Sequence, residues 1–424
     1  MSIRGRLARL FSAAIVDQAL LSGASLVVGL ILVRYTPDKD YALYCLLQAA
    51  LVYVTSAHSA LVCQPLAILV PGNTPDVKQQ MLGAARDSQR RLLRLILLLS
   101  LIGVAVTYLV RALTGSMALI VGFGLIAAWA SAERNYVRGV LLIYARVRTL
   151  VAADAVFVVV MIAGVLWAAF GIGQPAIWVA VALAASAWAG EIAATRALAK
   201  DPGWVTADPG PVWRKILPLG SWSIIGTTIY WLFSRSYNYI LATRLDLAAV
   251  ADVNAIRLMV MPALLVTTGL QGMLTPLAAA WNAEIGLDRL VRRLLGIIAA
   301  VGVCDLLYFG FIWIFRAWIT VHVFHKNMSD RDPLLMLWCI FTIVALVRDV
   351  IVSAVLAAGH LRWLAWQIGF CAVVALSVMW IAIPRWGAAA AMAALLIGEL
   401  LNLGGLAYLI QRMRRESRLQ QQMA

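Results

Sequence analysis

Between residues 11 and 410 the chain carries about twelve apolar stretches of roughly 20 residues or more, the length that crosses ~30 Å of hydrocarbon at ~1.5 Å per helical residue. Backbone entering lipid must satisfy its own amides, so such stretches fold as helices or as strands of a closed barrel. Runs this long, without strict alternation, read as helices. Hydrophobic residues make up 63% of the 424 positions and charged ones 13%, with a mean hydropathy of +0.88. A water-soluble domain could not carry that composition without large exposed apolar patches. The expectation is an all-α polytopic membrane protein.

The second half repeats the first. Arg34 matches Arg244 and Arg138 matches Arg348 at an offset of 210, Pro65 matches Pro276 at 211, and Gly190-Glu191 matches Gly398-Glu399 at 208. Each pair alone is weak, but a near-constant offset along the chain points to duplication. Six spans per half is an even number, so both halves enter the membrane in the same sense. This predicts two parallel six-helix lobes around a central cavity, residues 1–199 and 216–424, joined by a cytoplasmic linker over 200–215. That linker holds Pro202, Pro209 and Pro211 and ends in Trp213-Arg214-Lys215, suited to a short interfacial helix.

Basic residues set the orientation. With the N-terminus inside, twenty-five of the 35 Lys and Arg fall on inside segments, among them Arg4, Arg6, Arg9, Arg86, Arg90, Arg134, Arg289 and Arg414. Eight fall outside, and Arg235 and Arg257 lie within spans. Both termini are therefore expected in the cytoplasm. The formal charge of +15 is then mostly topology facing anionic headgroups, and a nucleic-acid partner is not expected. The first apolar run lacks a small-residue cleavage site and is expected to stay as the first helix. Cys45, Cys63, Cys304, Cys339 and Cys371 fall in spans without paired spacing and read as apolar fillers. No metal spacing, cofactor motif, glycine-rich phosphate loop or nucleophile–base pairing is visible, and His58 reads as a hydrogen-bonded structural histidine.

Ionisable and polar groups at membrane depth are costly and usually face a partner or a cavity. On the seventh span Thr228, Trp231, Arg235 and Asn238 recur at i, i+3, i+7 and i+10, giving one face a hydroxyl, an indole, a guanidinium and an amide. That face suits an anionic ligand with sugar-like hydroxyls, because guanidinium binds phosphate in a bidentate way; the competing role for Arg235 is snorkelling or pairing with a neighbouring acid. The eighth span adds Asn254, Arg257, Thr268, Gln271 and Thr275, with headgroup contact as the alternative for Arg257. Gln18, Ser22 and Ser25 on the first span, and Tyr44, Gln48, Thr55 and Ser59 on the second, form further stripes that interhelical hydrogen bonding explains equally well. Arg138 and Arg348 join Arg235, Arg257, Trp231, Asn238, Gln48 and Gln271 as candidate substrate contacts. Of the acids at depth, Asp349 beside Arg348 and Glu133 beside Arg134 look locally neutralised. Asp17 and Asp154 lack such a neighbour and are the candidate ion-coupling groups, a proton or sodium being the ion.

The run from Gln18 through Ser22, Gly23, Ser25 and Gly29 to Arg34, Tyr35 and Pro37, with Tyr41 entering the next span, resembles the opening of the Wzx-type polysaccharide flippases. So does Tyr136-Val137-Arg138-Gly139 through Arg146 and Arg148 into the helix bearing Asp154. These flippases belong to the multidrug/oligosaccharidyl-lipid/polysaccharide (MOP) exporter superfamily. The resemblance covers the whole length in pattern and topology, and about twelve spans differ from the fourteen of lipid II flippases. It implies a bacterial inner-membrane protein that moves an undecaprenyl-diphosphate-linked oligosaccharide from the inner to the outer leaflet, by alternating opening of a cationic cavity. It also implies membrane lipids, a polysaccharide polymerase and export machinery as partners.

The nearest rival is a cation-coupled multidrug exporter of the same superfamily, which shares the layout and an acid like Asp17 but takes mostly cationic or apolar ligands. A polymerase or membrane glycosyltransferase would need a large outer loop or paired carboxylates. A major-facilitator carrier would need a Gly/Asp/Arg-rich loop between Pro71 and Arg91, where none is present.

Overall fold

The computed structural model describes residues 3–198, 204–326, 329–357 and 361–423, and among these it is helical without strands. Residue 199, the linker's opening residues 200–203 and His360 lie outside the described residues, as do the side chains of residues 1–15, Thr275, Pro276 and Arg362. The helices are α1 (Ile3–Tyr35), α2 (Asp38–His58), α3 (Gln64–Leu69), α4 (Pro75–Leu109), α5 (Gly115–Ile143), α6 (Val147–Phe170), α7 (Pro175–Leu198), α8 (Gly210–Arg235), α9 (Tyr237–Arg244), α10 (Leu247–Ile285), α11 (Leu287–Trp318), α12 (Asp332–Ala357) and α13 (Leu361–Met423).

Eleven of the described segments are long and apolar enough to cross a membrane. The last, Trp363–Arg415, has 53 residues, far more than the ~20 one crossing needs. It is broken at Gly387, where φ is 64° and ψ is −152°. Only glycine adopts that geometry without strain, and Pro384 three residues earlier removes a helical donor. Two spans therefore share one run of helix, which accounts for the twelve apolar stretches in the sequence.

Prolines and capping groups set the other boundaries. Pro37 precedes α2, Pro75 opens α4, and the Asp246 carboxylate accepts from the Ala249 amide to start α10. Between α2 and α3 the helix widens into a π turn at Ser59–Cys63. Pro65 causes this, because it has no N–H to donate to the Leu61 carbonyl four residues back.

The chain divides into two compact units, Met1–Thr228 and Ile229–Ala424. The first unit holds α1 to α7 and most of α8. Its core gathers Val62, Leu66, Leu82, Tyr136, Leu141 and Leu198 with Val212 and Ile216 of α8. Gly220 of α8 lies directly against the Leu61 carbonyl, where a side chain would not fit. Nearby, Ser223 donates to Gln64 Oε1 at 2.7 Å, and Tyr53 pairs with Thr228 at 3.3 Å. The end of the linker is strapped to α4: the Val205 amide donates to the Gln79 carbonyl at 3.0 Å, Trp213 Nε1 donates to Ser88 at 2.6 Å, and Arg86 stacks on Trp204. In the second unit, α10, α11 and α12 pack through Leu274, Leu290, Leu294, Leu346 and Val350, and α13 joins through Leu406 and Leu409.

Candidate functional site

The charged residues of the first unit converge on α5. Arg134 and Arg138 are four residues apart, so they share one helical face, while Glu133 is turned about 100° away. The sequence suggested that Glu133 and Arg134 neutralise one another. Instead they serve different partners on different neighbouring helices. Arg134 and Arg138 address α6 and α1; Glu133 addresses α4.

On the first face, Arg134 Nη2 donates to Asp154 Oδ1 at 2.5 Å and Arg138 Nε to Asp154 Oδ2 at 2.8 Å. Arg138 Nη2 reaches across to Asp17 Oδ2 at 2.7 Å. The two candidate coupling acids and one candidate substrate contact thus form one cluster, two guanidiniums against two carboxylates. Its two acids are not equivalent. Asp154 is fully buried with both oxygens engaged, whereas Asp17 has one oxygen on Arg138 and the other, Oδ1, buried without a hydrogen-bond partner. Arg138 keeps 21% of its side chain exposed. Arg134 is further held by stacking on Phe157, with its guanidinium 3.7 Å from the ring centre.

On the second face, Arg90 of α4 lies 3.6 Å from Glu133 and 3.5 Å from Glu191 of α7, and Thr195 donates to Glu191 at 3.1 Å. One position before Arg90, Gln89 pairs with His58 at 2.6 Å, the hydrogen-bonded role expected for that histidine. Arg90, Arg134, Glu133 and Glu191 were not among the sequence candidates; the Arg134/Arg138 spacing of four was the signal that could have drawn attention to them.

In the second unit Arg348 donates to Glu399 at 2.7 Å and lies 2.9 Å from Asp349. Duplication matched Arg138 with Arg348, and each is engaged by two acids. Such arginines carry compensated charge, and a ligand anion would have to compete with the carboxylates. Along the Thr228-to-Asn238 stripe α8 ends at Arg235 and α9 begins at Tyr237, with Ser236 between them at helical angles, φ −64° and ψ −21°. Asn238 is buried, accepting from Asn254 at 2.6 Å, and Tyr237 donates to Asn254 at 3.3 Å. Trp231 packs against Tyr239 with ring centres 5.8 Å apart and the rings tilted by 49°. Arg257 sits 6.0 Å from the Trp338 ring centre. Arg235, Arg257, Gln48 and Gln271 are all half-buried. Among the described residues no group of three or more His, Cys, Asp or Glu could hold a metal.

No protein-family model matches the chain, and no curated protein matches it in sequence. Solved structures do. An inward-facing multidrug resistance MATE family transporter of the MOP superfamily aligns with a TM-score of 0.77 at 14% identity, over 94% of this chain and 95% of that one. The fold is that of the MATE transporters. A Vibrio cholerae MATE transporter aligns at 0.65 with 12% identity over 97% of both chains. A MOP superfamily transporter from Pyrococcus furiosus, described as having a binding pocket of reversed polarity that suggests a different function, aligns at 0.66 with 13% identity over 96% and 95%.

Proposed function

We propose that this protein is an ion-coupled membrane exporter working by alternating access, with the Asp17–Arg138–Asp154 cluster as its coupling element. The observation that carries the reading is the asymmetry of that cluster. Asp154 is locked by two guanidiniums, while Asp17 makes one ion pair and keeps a second oxygen without a partner. A proton arriving on Asp17 would release Arg138 from one partner and shift the cluster from neutral to a net positive charge, biasing whichever conformation accommodates that charge. A cation-coupled multidrug exporter is the cargo reading that the fold neighbours support. A second reading, the lipid-linked oligosaccharide flippase, is supported by the half-buried Arg235 and Arg257, which suit a diphosphate better than a cationic drug.

The test uses the full chain in proteoliposomes with an imposed pH gradient. Asp17→Asn should slow transport and blunt its dependence on the gradient while folding is preserved; an unchanged gradient response excludes Asp17 as the coupling group. Running the assay with a cationic dye and with a labelled undecaprenyl-diphosphate oligosaccharide separates the cargo readings. Movement of only the labelled lipid would retire the drug-export reading.

A further inference from the structure

At one end of the second unit a cleft of about 330 Å³ is lined by Ile256 and Met259 of α10, Arg316 and Ala317 of α11, Thr320, and Arg331, Asp332 and Leu335 at the start of α12. The way it forms explains its character. Beyond Trp318, α11 widens into a π turn at Ile319–Val323, a departure that recurs at functional sites. The floor is apolar and the rim charged. Arg316 Nε donates to both oxygens of Asp332 at 3.0 Å and Nη1 to the Trp313 carbonyl at 2.7 Å, using two of its five N–H groups. Arg331 reaches Asp252 at 2.7 Å through one nitrogen and leaves 48% of its side chain exposed. The acids therefore orient the guanidiniums without exhausting them.

The surroundings locate the cleft. Ile314 and Trp318 of α11 and Val321 of the π turn are exposed, and Trp318 stacks on His322. Exposed tryptophans beside exposed aliphatics mark the boundary between hydrocarbon and headgroups. The connection from Arg316 to Asp332 also runs against the charge bias of the chain: Arg316, Lys326 and Arg331 are three of the eight basic residues that the sequence assigns to the outer side. Asp332 and Asp252 balance the charge of the two arginines, so the cleft would hold an anion through the guanidinium N–H groups the acids leave over rather than through net charge.

We infer that this cleft is a phospholipid headgroup site, in which the lipid phosphate bridges Arg316 and Arg331 and the glycerol and upper acyl segments lie on Ile256, Met259 and Leu335. A soluble anion would use the guanidiniums but gain nothing from the apolar floor, and an apolar ligand would leave them unused. A phospholipid uses both. Its position on one unit, at the headgroup boundary, makes it a resident-lipid site that does not depend on which cargo the protein exports.

Native mass spectrometry of the full chain released from nanodiscs of phosphatidylglycerol and phosphatidylethanolamine tests this. The wild-type protein should retain one phospholipid that the Arg316→Gln/Arg331→Gln double variant binds roughly tenfold more weakly. Arg331→Lys should restore part of the binding, and Arg111→Gln, an exposed arginine of the first unit, should change nothing. Circular dichroism checks that each variant is folded. Diacylglycerol, which lacks the phosphate, should not be retained, and excess inorganic phosphate should not displace the phospholipid. Equal retention by wild type and double variant, retention of diacylglycerol, or displacement by inorganic phosphate would each overturn the assignment.

Discussion

The two acids of the Arg134–Arg138 cluster should differ sharply when neutralised. Asp154→Asn removes the charge that holds two guanidiniums at 2.5 and 2.8 Å in a fully buried position. Two arginines would then share Asp17 alone, and removing one partner from a buried ion pair costs about 3–5 kcal/mol. Asp17→Asn removes one charge-assisted bond at 2.7 Å, but Arg138 keeps Asp154 and the new amide oxygen can still accept. The loss there should be about 1–2 kcal/mol. Reversible unfolding in mixed micelles, titrated with denaturing detergent and followed by helical circular dichroism, measures both. Adding Arg134→Gln to Asp154→Asn restores neutrality, so the double variant should recover at least ~1 kcal/mol over the sum of the singles. Equal losses for the two single variants, or strict additivity in the double, would refute the assignment of Asp154 as the structural anchor and Asp17 as the adjustable partner.

Two further outcomes are expected. Under the flippase reading, Arg235→Ala should abolish export of the lipid-linked glycan at normal protein level, with Arg235→Lys rescuing only in part because the planar fork is lost; normal export by the alanine variant removes Arg235 from the site. Gly220→Ala should destabilise the first unit by about 1–3 kcal/mol, since its Cβ would collide with the backbone of Leu61, which cannot swing aside as a side chain could. Gly226→Ala on the same helix, with nothing within 4 Å, should be neutral or slightly stabilising, and equal behaviour of the two would disprove the close approach.

The helical architecture was legible in the sequence because the membrane imposes one dominant rule, length of apolar run, and that rule is local. Gly387 shows its limit: helix continues on both sides of it, so the break is marked by one glycine and a nearby proline rather than by a polar loop. The charged clusters were legible only by halves. Asp17 and Asp154 stood out as acids without a cation nearby in sequence, yet their cation, Arg138, lies 121 and 16 residues away. Helical phase tells which side of α5 a residue occupies; it does not tell which helix lies opposite. The Thr228-to-Asn238 stripe shows the same limit. Its spacing places these groups on one face but says nothing of the neighbour that engages them: Asn254, sixteen residues on, donates to Asn238 and buries it.

Helix α8 carries the seventh apolar span, yet its first nineteen residues, Gly210 to Thr228, belong to the first compact unit. The first six spans and the first compact unit thus end in different places. A gene cut at the proline-rich linker would yield a first half lacking Val212, Ile216 and Gly220, the α8 residues that pack into its core and against Leu61. During synthesis the first half stays incomplete until the opening helix of the second has left the ribosome.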